Sequence, residues 1–143
     1  MTSNVAGLVL ILTAALGSAC GSNIASPTSA TSAPSATRDL FEGTLSADGT
    51  RFFSFTVSDA GTVQVTLVSL TIGASGPTIH AAMGLGVGIP NGADCEVTKA
   101  VTTAPGLVSQ LTVPMAAGVA CTRLFDVGNL TTTVTFAVRI LHP

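Results

Sequence analysis

Few side chains in this sequence can do chemistry. There are two histidines, seven carboxylates, five basic residues and three cysteines, with no Trp and no Tyr. A Ser, His and acid arrangement is formally available through His80 or His142. However, no strand-turn-helix nucleophile elbow frames any serine. His80 follows Pro77-Thr78-Ile79 and reads as a strand-end side chain, and His142 stands next to the last residue of the sequence. No catalytic residue is assigned, and the chain is expected not to be an enzyme. Metal chemistry is as poorly served, with no His-x-x-x-His, no Cys and His cluster and no Asp-x-Asp-x-Asp-Gly loop. Asp94, Glu96 and Asp126 could lend scattered carboxylates to a calcium ion, but they fit solvated turns better. No metal or cofactor is expected. The run Gly84-Leu85-Gly86-Val87-Gly88 lacks the Lys and Ser/Thr of a phosphate loop. Alternating glycines in a strand mark close backbone approach instead.

The elements that would position these groups follow from the uneven distribution of charge. Charged residues make up 8% of the chain and hydrophobic ones 47%, and every charged side chain lies between Arg38 and Arg139. The net charge of -2 excludes the basic footprint of a nucleic-acid binder.

The first segment, 1–19, carries the apolar block Val5–Leu16, followed by Gly17-Ser18-Ala19-Cys20. The block falls short of the roughly 20 apolar residues that cross a bilayer and fits the apolar stretch and cleavage zone of a signal peptide. Leu16-Gly17-Ser18-Ala19-Cys20 resembles a bacterial lipobox, with Gly17 where that family usually has Leu. The resemblance implies that Cys20 is lipidated and becomes the new N-terminus, tethering the protein to a membrane of the cell envelope. An ordinary signal cleaved near Ala19 would instead release a secreted protein. The second segment, 20–38, is almost entirely Gly, Ser, Ala, Thr and Pro after the cysteine. It has too little to bury to offset its ordering entropy. As a flexible linker it would span roughly 20 to 25 Å.

The third segment, 39–143, alternates apolar and polar residues along Thr50–Val57, Thr62–Leu67 and Val134–Leu141, the period-2 mark of half-buried strands. That pattern places Phe53, Phe55 and Phe136 in the core. Leu40–Leu45, His80–Val87, Cys95–Val101, Leu107–Val113 and Val119–Val127 add weaker strands. Turn residues such as Asp48-Gly49 and Pro90-Asn91-Gly92 separate them. About eight strands with no amphipathic helix predict an all-β fold, an antiparallel sandwich. Parity among three cysteines in an exported chain predicts a Cys95–Cys121 disulfide.

Phe41-Glu42-Gly43-Thr44-Leu45, Asp48–Val57 and Gly61–Leu67, together with Ala117–Leu124, resemble bacterial pre-peptidase C-terminal domains. The resemblance implies a jelly-roll-like sandwich acting as a noncatalytic accessory, or as a carbohydrate- or protein-binding module. Arg51 and Ala120 depart from the family pattern, so no site residue carries over. The expected function is therefore a lipid-anchored envelope module working in surface interaction or scaffolding, with an envelope protein or glycan as partner. The alternative is a carbohydrate-binding module, and Phe52 and Phe125 are the aromatics off the apolar strand faces that could contact a sugar.

Overall fold

Along β8 (Val134–His142) buried and half-buried residues alternate without a break, so one side of the strand faces a core and the other faces out. The same period organises the other strands. The computed structural model describes residues 35–143, which include β1 (Thr37–Leu45), β2 (Thr50–Val57), β3 (Gly61–Ile72) and β4 (Met83–Asn91). These are followed by β5 (Asp94–Thr103), β6 (Leu111–Met115), β7 (Gly118–Asp126) and β8.

Two four-stranded antiparallel sheets form, in the orders β1-β8-β3-β6 and β2-β7-β4-β5. Except for the β4–β5 hairpin, successive strands switch sheets, which is the eight-stranded jelly-roll arrangement of two interleaved Greek keys. The expected all-β sandwich is therefore present. Its core joins Leu67, Leu70 and Val138 of the first sheet to Leu85, Val87 and Leu124 of the second, all of them at most 1% exposed. Phe136 and Phe55 are buried, and Phe53 is half-buried between Phe41 and Phe136, at ring-centroid distances of 4.8 and 5.8 Å.

Several boundaries differ from expectation, each for a local reason. β1 begins at Thr37, two residues inside the expected linker, because Thr37 and Arg38 pair with His142 and Leu141. The expected strand from His80 starts only at Met83. His80 lies exposed in the segment after the Thr71–Thr78 bridge, where Ile79 donates to the Leu70 carbonyl. Pro90-Asn91 belongs to β4 rather than to a turn. The turn is the two-residue loop Gly92-Ala93, with Gly92 at φ 60°; positive φ at the first central residue is what a type II′ hairpin requires.

The largest difference is Leu107–Val113, where pairing starts only at Leu111. Leu107 and Val108 are each 80% exposed on a loop. The loop nonetheless completes the sheet edge. Gly106 N–H donates to the Leu67 carbonyl and Gln110 N–H to that of Val65. The Gln110 side chain brackets Leu67, accepting from its N–H at 2.8 Å and donating to its carbonyl at 3.3 Å.

The Cys95–Cys121 disulfide is formed, with a Cα–Cα distance of 5.9 Å. Gly88 pairs with Cys121 on one side and Val97 on the other, and Cys95 pairs with Pro90. The bridge thus crosses β4 and joins β5 to β7. Among the described residues no helix is long and apolar enough to cross a membrane. The expected signal peptide, the lipidation expected at Cys20 and most of the expected linker lie outside the described residues.

Candidate functional site

Antiparallel register decides which side chains meet on the outward face of the β2 sheet. Thr50, Phe125 and Gly84 share one row, and Phe52, Arg123, Gly86 and Ala100 share the next. Directly paired residues point to the same side of a sheet. β4 therefore runs as a glycine rail between the side chains of β7 and β5. A carbon added at Gly84 would lie 2.2 Å from Phe125 ring atoms, and one at Gly86 would lie 2.7 Å from Val97. The absence of side chains there lets the Phe125 ring lie down on the sheet, which explains the alternating glycines seen in the sequence.

The result is an open depression of about 480 Å³, lined by Asp48, Gly49, Thr50, Val97, Ala100, Arg123, Phe125 and Asp126. Arg123 organises its polar side. Its Nε donates to Thr50 Oγ1 at 3.0 Å, and its guanidinium carbon stands 6.0 Å from the Phe125 ring centroid. Its Nη1 is 3.6 Å from an Asp94 carboxylate oxygen. That ion pair is exposed and contributes on the order of 1 kcal/mol or less.

Asp126 closes one end as a loop clamp. Its carboxylate accepts from the N–H groups of Asp48 (2.9 Å), Gly128 (3.0 Å), Asn129 (2.9 Å) and Leu130 (3.2 Å). Asp126 N–H in turn donates to the Gly49 carbonyl. One side chain thus ties the β1–β2 turn, where Asp48 holds φ 55°, to the β7–β8 loop. These bonds, that from Asp48 first, hold the carboxyl below its ordinary value of 3.8, against a smaller upward push from desolvation.

Folding therefore favours the ionised form, so the stability it contributes is present above pH 3.8 and is lost as pH falls through the lowered value. Asp126→Ala will lower the melting temperature at neutral pH. Melting curves across pH will show the gap between parent and variant narrowing below pH 3.8. A gap that stays constant into strong acid would show that the clamp does not depend on the charge.

Of the residues singled out from sequence, Phe125 lines the depression. Phe52 is half-buried on the same face, beside Arg123, but is not part of the lining. Asp94, Glu96 and Asp126 do not gather: Asp94 faces Arg123, Glu96 is exposed on β5, and Asp126 is occupied by amides. Among the described residues no three His, Cys, Asp or Glu side chains converge as a metal site.

His80 and His142 are not brought together. His142 is 3% exposed at the end of the sandwich, with Nε2 3.0 Å from Asp39 Oδ2, Nδ1 3.1 Å from the Pro143 carbonyl, and its ring 5.2 Å from that of Phe55. Sequence reasoning missed the Asp39–His142 pair and the roles of Thr50 and Arg123. Register joins Thr50 to Arg123 across a separation of 73 residues, which no local motif reveals.

No family model matches the chain, and no curated protein matches it. Among solved structures, it is similar to the mitogen derived from Yersinia pseudotuberculosis. The TM-score is 0.50 and the identity 10%, over 75% of this chain and 86% of that one. At that identity the similarity shows the β fold alone.

Proposed function

We propose that this chain is a noncatalytic, lipid-anchored module of the cell envelope that works by surface contact, with the depression on the β2 sheet as its contact site. The composition of that depression carries the reading. It presents a guanidinium already hydrogen-bonded to a hydroxyl and standing beside an aromatic ring, and its Asp126 carboxylate is held by backbone amides. Neither histidine lines it. Such a constellation binds and orients but has no poised base and nucleophile pair.

The anchor half of the proposal is tested by the intact mass of the protein purified from membranes, with and without reductant. The expected species begins at Cys20, carries acyl chains, and gains the mass of two hydrogens when the Cys95–Cys121 bridge is reduced. A chain recovered without acyl groups overturns the anchor. Turnover in a broad hydrolase screen, abolished by His80→Ala or His142→Ala, overturns the noncatalytic assignment.

A saccharide is the second reading, favoured by the Phe125 ring lying flat on Gly84 beside Arg123 and Thr50. Aromatic faces take the apolar side of a pyranose while the polar groups meet its hydroxyls. On a glycan array, saturable binding should weaken about tenfold in Phe125→Ala and persist in Phe52→Ala. Equal loss in both variants, or no binding at all, removes this reading.

A further inference from the structure

We propose that the outward face of the opposite sheet, β1-β8-β3-β6, is a docking surface for an anionic lipid bilayer. The register Arg38↔Leu141, Leu40↔Arg139 and Glu42↔Ala137 places these six side chains on that face. Leu40 is 57% exposed there.

The loop bearing Leu107 and Val108 is fastened to the same sheet. Arg139 Nη2 donates to the Leu107 carbonyl at 2.8 Å, while Gly106 and Gln110 bond to β3 on either side. Two consecutive aliphatic side chains, each 80% exposed, are thus held out by a pinned backbone. An apolar patch rimmed by polar groups marks an interaction surface.

Charge and connectivity select a membrane as the occupant. The whole chain carries a net charge of -2, yet the charged residues of this face are Arg38 and Arg139 against Glu42 alone. Asp39, next in sequence, faces His142 instead, and Asp48, Asp94 and Asp126 stand at the other sheet. Basic residues beside exposed aliphatics suit the headgroup boundary of an anionic leaflet. Furthermore, the linker leading back to Cys20 joins β1 at Thr37, next to Arg38 and three residues before Leu40. Docked in this way, the sandwich lays one sheet on the bilayer and turns the Phe125 depression away from it. The proposal rests on the anchor reading for proximity to a membrane, but not for the surface's own affinity.

Residues 35–143 contain all eight strands, the core and the disulfide within one compact unit, so this piece can be tested without Cys20. In vesicle flotation it should partition onto phosphatidylglycerol vesicles at low salt and be released as salt screens the arginines. Leu107→Asp with Val108→Asp should lower partitioning about tenfold or more. Val119→Asp, at a 58% exposed position on the other sheet, should leave it unchanged. Circular dichroism will verify that the variants remain folded. Absence of binding to phosphatidylglycerol, equal binding to phosphatidylcholine vesicles at all salt concentrations, or equal loss in Val119→Asp overturns the proposal. Because the piece lacks Cys20, those failures leave the anchor standing, whereas a missing acyl group in the intact mass overturns the anchor alone.

Discussion

Replacing Cys95 and Cys121 together with alanine will lower the unfolding free energy by about 3.5 kcal/mol. The bridge closes a loop with a sequence separation of 26, and its main effect is to restrict the unfolded chain, which loses conformations that an open chain keeps. Both cysteines are at most 2% exposed, so the truncation also leaves a small void. The parent protein in strong reductant should unfold at nearly the same denaturant concentration as the double variant. The denaturant slope should rise in both, because the open chain exposes more surface. A loss below about 1 kcal/mol would mean that the strands hold the pairing by themselves and the bridge adds little. For a fold with an ordinary margin of ~5–15 kcal/mol, the expected loss is a substantial fraction of the total.

Gly88→Ala is the second change with a large effect, about 3 kcal/mol or more. An added carbon at Gly88 would stand 1.8 Å from the Glu96 carbonyl oxygen and 2.8 Å from the Val97 Cα. Those atoms are backbone and have no rotamer to retreat into. They are held by the β4–β5 hairpin at its register shift between Val87 and Gly88, and by the bridge that crosses at this point. The hairpin must open locally to admit the methyl group. Gly84 differs in kind, since its neighbour is the Phe125 ring, which can swing away at the expense of the depression. Denaturant unfolding of Gly88→Ala measures the effect. A loss under about 0.5 kcal/mol, the range of ordinary surface substitutions, would show that the bulge yields easily.

Much of the fold is legible in the sequence because one face of each central strand is buried and the other is wet. β2 spans Thr50–Val57 as its alternation indicates, and β8 extends one residue beyond it. Legibility fails where apolar residues are not buried. Leu107 and Val108 look like the start of a strand, yet the edge of β3 beside them is satisfied by the Gln110 side chain and the Gly106 amide. Alternation cannot show that a side-chain amide stands in for a strand. Likewise Ala81 packs against the core from an irregular segment, so the strand expected from His80 begins only at Met83.

The candidate site is less legible than the fold. Phe125 stands out by type, but Thr50 and Arg123 acquire their role only through pairing of distant strands. Asp126 resembles a metal-ligating or turn carboxylate in sequence, and only the fold shows four amides converging on it.

The nine paired positions from Thr37↔His142 to Leu45↔Val134 also have a mechanical meaning. Tension applied through the segment that precedes β1 enters the sandwich at Thr37. If the sandwich is held elsewhere and the pull runs along the strand, the β1–β8 hydrogen bonds are loaded together, in shear. If the pull is directed away from β8, the bonds are loaded one after another, starting where Asp39 grips His142. The direction of tension at the entry point, more than its size, therefore determines whether β1 holds or peels.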